Sequence, residues 1–166
     1  LLHYIGNLYK KQGSSMFKVF GLKRISINTD FSYFQDDEAV DKLIESLSKY
    51  DFPENFLGFE IAEWEVKNHY TKFQSITKRL VEKKITLICD QFTGKDISIE
   101  KLKELRFSEV KVGRSIGGFV DRDPQKAAAI TQIIETAKAL DIQVSVVGIE
   151  NNEQYEIIRR LDKNAL

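Results

Sequence analysis

A strand-helix-strand-helix rhythm runs through most of this sequence and restricts it to an α/β architecture with parallel strands. Short β-rich runs stand at Arg24 to Asn28, Gly58 to Ala62, Ile85 to Asp90, Glu109 to Val112 and Gln143 to Val147. Helical patterns lie between them. Val66, Tyr70, Phe73, Ile76, Leu80 and Val81 recur at helical spacing and predict one helix over Val66 to Lys84. Val40, Leu43, Ile44 and Leu47 do the same behind Asp36, an N-cap residue type. Asp123-Pro124 reads as a cap followed by a first-turn proline, opening a helix that buries Ala127, Ile130, Ile134 and Ala137. Asn151 with Gln154 resembles a capping box ahead of Ile157, Ile158 and Leu161. Five strands so arranged fit an open doubly wound sheet or part of a (β/α)8 barrel, and periodicity alone does not choose.

Composition narrows the function classes. The 166 residues suffice for one domain. Twenty-five basic residues balance 25 acidic ones, so no strongly basic surface invites a nucleic-acid polymer. The single cysteine, Cys89, excludes a disulfide framework and a thiolate cluster for zinc, and on an apolar strand it reads as a buried packing thiol. No apolar run approaches the roughly 20 residues of a membrane-spanning helix. Neither His3 nor His69 pairs with a serine or with Cys89 at a nucleophile spacing.

In both candidate architectures chemistry sits at the C-terminal ends of strands. The residues there are Asn28, Glu60 with Glu63, Asp90, Lys111 and Glu150. Asn, Glu and Asp supply hard oxygen donors of the kind Mg²⁺, Mn²⁺ or Ca²⁺ prefers, and a nearby lysine can face a phosphate or position a water. Any one of these carboxylates is more often a helix cap or a surface pair. Their recurrence at successive strand ends is what points to a site.

Five segments in order resemble the EAL domains, the cyclic di-GMP phosphodiesterase family of bacteria. Ile25-Ser26-Ile27-Asn28 resembles the asparagine-bearing strand, and Gly58 to Glu63 is similar to the "E-[IL]-T-E" strand. Leu87 to Gly94 resembles the "DDFGTG" segment; Leu102 to Gly113 resembles "L..L..D.-KID"; Val144 to Gln154 resembles "VVAEGVET..Q". The resemblance is strongest over residues 24–154 and implies a (β/α)8 TIM-barrel-like fold, with residues 1–166 forming a single partial domain, incomplete at both ends. The chain is expected to be a piece of a longer protein, lacking the signature Glu-Ala-Leu strand and the final strand. Strand edges so exposed predict a homodimer. The family's activity is metal-dependent hydrolysis of one phosphodiester. The resemblance implies Asn28, Glu60 and Asp90 as metal ligands for Mg²⁺ or Mn²⁺, Lys111 beside the attacking water, and Glu63 ordering the loop after the "DDFGTG" segment. Glu150 matches the last glutamate of "AEGVE". Arg114 is the candidate for a ligand phosphate.

Departures from the family pattern bear on activity. The second aspartate of "DD" is Gln91, the "FGTG" turn reads Phe92-Thr93-Gly94-Lys95, "KID" ends in Gly113, and the first glutamate of "AEGVE" is Val147. A metal-bound water ionises only where enough fixed negative charge holds the metal. Each lost ligand costs roughly 10²-fold or more in rate. The sequence therefore predicts a non-catalytic receptor or protein-interaction module of a cyclic di-GMP signalling protein, cytoplasmic, with no membrane contact from this segment. The alternative is an active cyclic di-GMP phosphodiesterase whose missing motifs lie outside the chain, and a third is a scaffold that has lost the nucleotide. Gly117-Gly118 reads as a flexible loop at the barrel mouth. The aromatics Tyr4, Tyr9, Phe17, Phe20, Phe31, Tyr33 and Phe34 read as packing residues.

Overall fold

The computed structural model describes residues 2–19, 24–50, 52–162 and 164–165, the side chains of 11–18 excepted. Helix α1 spans Leu2–Val19, and β1 is Ile25–Asn28. A 3-10 turn at Phe31–Phe34 leads into α2, Asp37–Ser48. Then come β2 (Leu57–Ala62), α3 (Glu63–Asn68), α4 (Tyr70–Glu82), β3 (Ile85–Phe92) and α5 (Ile99–Glu104). The remainder holds β4 (Glu109–Val112), α6 (Arg114–Gly117), α7 (Pro124–Ala139), β5 (Gln143–Val146) and α8 (Asn152–Leu161).

The strands form one parallel sheet in the order β1-β2-β3-β4-β5. A doubly wound sheet reverses its order at a switch point, and this one never does. Sequential order is that of a (β/α)8 barrel, so the sheet is an arc of one. Beyond β5 the Val146 N–H donates to the Ala165 carbonyl at 2.9 Å, which starts the next pairing along the arc.

Period-2 alternation divides the sheet into two chemically distinct faces. Leu57, Phe59, Ile61, Ile85, Leu87, Cys89, Val110, Val112, Val144 and Val146 are buried and belong to the core shared with the helices. The opposite face carries Ser26 and Asn28, Gly58 and Glu60, Thr86, Ile88 and Asp90, Glu109 and Lys111, and Ser145. Ile88 is fully buried yet stands apart from the helix-side core. The inner face is therefore the polar one, and the helices are held by the outer one.

Local chemistry explains most boundaries. Asp36 accepts from Ala39 N at 2.7 Å, Asp123 from Gln125 N at 2.9 Å and Asn151 from Gln154 N at 2.9 Å, each an N-cap bond. The reciprocal bond of the Asn151 cap falls one residue early, on Glu150 N at 2.8 Å from Gln154 Oε1. In α7, Ile133 is buried where Ala127 is only half-buried. The helix expected over Val66 to Lys84 is two helices, broken at His69 (φ −119°, ψ 26°) and beginning earlier, at Glu63. His69, at the break, stacks flat on Phe31 with centroids 3.5 Å apart. Gly117 also differs from expectation. It lies in α6, and a Cβ there would stand 2.5 Å from the Val147 carbonyl oxygen, so the residue permits close packing and gives no free loop. Tyr9 packs on Phe52 and Phe56, and Phe34 is buried, whereas Tyr4 and Tyr33 are exposed; the Phe17 side chain and Phe20 lie outside what is described.

Candidate functional site

Alternation brings Asn28, Glu60, Asp90 and Lys111 to one face, and register brings them to one end of it. Asn28 lies directly across from Glu60, and Asp90 across from Ala62, two residues further along. Asn28, Glu60 and Asp90 border a cleft of about 440 Å³ whose lining also includes Asp30, Trp64, Glu65 and Gln91. Lys111 Nζ donates to Glu60 Oε2 at 2.7 Å, with the two side chains only 24% and 12% exposed. That pair is sheltered enough to hold, and it uses one carboxylate oxygen and the lysine's charge on each other.

Glu63 stands next to this cleft and is 3% exposed. Its Oε2 accepts from Thr93 N at 2.9 Å and Thr93 Oγ1 at 2.7 Å, and its Oε1 from Asp96 N at 3.3 Å. The loop after β3 is thus tied to the start of α3, with Lys67 reinforcing the tie at 2.7 Å from Asp96. Cys89, directly behind on the outer face, has its thiol pushed well above its ordinary 9.0 by burial and then by the nearby carboxylates of Glu63 and Asp90. It is an inert packing residue, as the sequence suggests.

Each position that departs from the family pattern has a defined place. Gln91 is the extra residue of a bulge between Cys89 and Phe92, with φ at +53°. The bulge turns Phe92 into the helix-side core and leaves Gln91 exposed in the cleft. Gly113 follows β4, and a Cβ there would lie 3.4 Å from the Gln91 backbone. Val147 is 37% exposed at the end of β5. Arg114 is not among the residues lining the Glu60 cleft; it pairs with Glu150 and lies along Gly148, where a Cβ would stand 2.5 Å from Arg114 Cγ. The histidines are structural: His3 is hydrogen-bonded to Tyr50 and His69 is stacked on Phe31.

Among the described residues no group of three or more His, Cys, Asp or Glu side chains is placed to hold a metal ion. The cleft lining carries four carboxylates, Asp30, Glu60, Glu65 and Asp90, and two amides, Asn28 and Gln91, with Glu60 already bonded to Lys111 and Glu65 to the Phe31 N–H. In kind they fit a divalent cation. Two features escape sequence reasoning. Trp64, the chain's sole tryptophan, borders the cleft 53% exposed, and its position immediately after Glu63 is the only signal that places it there. At the other end of the face, Arg24 reaches from ahead of β1 to a buried Glu109 on β4. An alternation count on β4 would have put Glu109 inside with Lys111.

The model of the EAL domain matches residues 5–166. The bifunctional diguanylate cyclase/cyclic di-GMP phosphodiesterase MucR of Pseudomonas aeruginosa is 24% identical over 142 residues, 86% of this chain and 21% of its own length. The blue light- and temperature-regulated antirepressor BluF of Escherichia coli is 24% identical over 136 residues, 81% of this chain and 34% of its own length. The chain spans 17% to 34% of the length of the curated relatives it matches. Among solved structures, the FimX EAL domain superposes with a TM-score of 0.80 at 15% identity, covering 97% of this chain and 62% of that one. The MucR phosphodiesterase in complex with cyclic di-GMP does so at 0.76 and 21%, covering 94% and 70%. Motif order, sheet order and these matches agree along the chain, and it belongs to the EAL domain family.

Proposed function

We propose that this chain is a degenerate EAL domain of a bacterial cyclic di-GMP signalling protein, acting in the cytoplasm as a receptor or protein-interaction module without hydrolysing the nucleotide. The observation that carries this reading is the Lys111–Glu60 pair at 2.7 Å. The lysine matched to the attacking water's neighbour neutralises a carboxylate matched to a metal ligand. At three positions where the family pattern carries an acidic residue stand Gln91, Gly113 and Val147, none of which brings a charge.

Binding and turnover make different demands on such a cleft. A cyclic dinucleotide carries two phosphodiester anions, and Asp30, Glu60 and Asp90 face it with like charge. Asn28, Glu60 and Asp90 would hold one divalent ion, Mg²⁺ or Mn²⁺, whose chemistry when bound is to offset that repulsion. Lys111 fixes Glu60 in orientation, and Glu63 keeps the loop at Thr93 in place. Those tasks orient a ligand. They do not generate a nucleophile. The names of the relatives range from a phosphodiesterase to an antirepressor, so the family accommodates both uses.

Calorimetric titration of cyclic di-GMP in the presence of Ca²⁺ tests the reading, paired with an assay for linear dinucleotide in Mg²⁺ or Mn²⁺. Saturable binding that weakens at least about tenfold in Glu60→Ala or Asp90→Ala, with no linear product, is the expected result. Turnover would overturn it in favour of the phosphodiesterase. Absence of binding at high micromolar ligand would leave a scaffold that has lost the nucleotide.

A further inference from the structure

We infer that Trp64 is the base-stacking platform of this cleft, the surface against which a purine ring of the bound nucleotide lies. The inference rests on the nucleotide-binding reading above and adds the residue that would grip the base. Trp64 is 53% exposed and borders the cleft with Asn28, Asp30, Asp90 and Gln91. Large aromatic side chains are usually well covered in a folded protein, so a half-exposed indole at a cleft rim stands out.

Its neighbours in sequence explain why it projects there and why it is held still. Glu63 is 3% exposed and accepts three hydrogen bonds from the loop at Thr93 to Asp96. Glu65 is 7% exposed and accepts from Phe31 N at 3.2 Å. With the residues on either side pinned inward, the backbone under Trp64 is fixed and its side chain is directed outward. An aromatic ring mounted on a fixed backbone loses little freedom when a base stacks on it, which is what such a contact needs to be favourable. The groups beside the ring that the metal reading leaves unused suit a purine edge: Gln91 offers an amide donor and acceptor, and Asp30 accepts from ring N–H and amino groups.

The chain contains one tryptophan, so emission excited at the red edge of the indole band, where tyrosine does not absorb, reports this residue alone. Titration of cyclic di-GMP with Ca²⁺ should quench that fluorescence along the calorimetric binding curve. Trp64→Ala should weaken calorimetric binding at least about fivefold, and Trp64→Phe should recover most of the loss, because any aromatic face stacks. A thermal melt unchanged in Trp64→Ala separates this from misfolding. Wild-type binding by calorimetry with unquenched fluorescence, or with full affinity in Trp64→Ala, overturns the platform and leaves the receptor reading standing. No calorimetric binding by the wild type overturns both.

Discussion

The two ends of the sheet's inner face solve the same problem in opposite ways. Each places a cation–carboxylate pair across strands. At the N-terminal end Arg24 bonds Glu109, whose other oxygen accepts from Ser145 Oγ at 2.7 Å. Gly58 clears the way between them, since a Cβ there would come within 3.3 Å of Arg24 Cδ and 3.0 Å of both Ile88 and Ser26. The Glu109 side chain is 4% exposed, and this end is closed. At the C-terminal end Lys111 bonds Glu60, but beside them lie Asp90, Asn28 and a cleft of about 440 Å³. A pair with both carboxylate oxygens satisfied holds the arc together. A pair left next to unfilled space and an uncompensated aspartate is placed to meet a ligand.

Mutation should therefore separate stability at one end from binding at the other. Arg24→Met strands a buried carboxylate and is expected to cost the most, about 3 kcal/mol or more, lowering the melting temperature by roughly 6 °C or more. Nucleotide affinity, if the cleft binds, should stay within about twofold. A melt unchanged from wild type would remove the distinction between the two pairs. Gly117→Ala comes next, at about 1–3 kcal/mol, because its Cβ meets the Val147 carbonyl, which is backbone and cannot turn aside. Denaturant titration checks it, and an undiminished midpoint would mean that α6 slides. Lys111→Ala should cost only about 1–2 kcal/mol, since Glu60 can turn to water in the cleft, yet shift affinity for cyclic di-GMP by more than it shifts stability. Equal effects on both would make Lys111–Glu60 a second structural pair.

How much of this was legible in the sequence follows from which interactions are periodic. All five strands are legible because each is a short, mostly apolar run between helical patterns, and sharing of one face by Asn28, Glu60, Asp90 and Lys111 follows once those strands lie side by side. The sheet order that distinguishes barrel from doubly wound sheet depends on contacts between segments far apart, and periodicity holds none of that. The break at His69 was hidden because Val66 and Tyr70 keep helical spacing across it, while the stacking partner Phe31 lies 38 positions upstream. Gly117 misled for a related reason: a glycine that is close-packed and one that is mobile look alike until the Val147 carbonyl is in place. The pairing of Lys111 with Glu60 and of Arg24 with Glu109 needed the register, 51 and 85 residues apart in sequence.

The smallest effect expected sharpens the comparison through acid. Beside the open end, Asp121 accepts from Gln154 Nε2 at 3.0 Å and Asn151 Nδ2 at 3.2 Å, tying the loop after α6 to the start of α8. These bonds, Gln154's first, hold its carboxyl below the usual 3.8. A carboxyl depressed in the folded state contributes stability that is complete above its unfolded pKa and is lost as pH falls through the folded one. The tie should therefore persist at pH 5 and loosen only below about pH 4, with the sheet itself still intact. Side-chain amide signals of Asn151 and Gln154 followed by NMR should move together in that range, and Asp121→Asn should abolish the shared transition. Movement centred above pH 5 would mean that another group governs this loop. A transition confined to Asp121, Asn151 and Gln154 would show the open end yielding piece by piece, through contacts water can reach, where the closed end is built to fail only with the whole sheet.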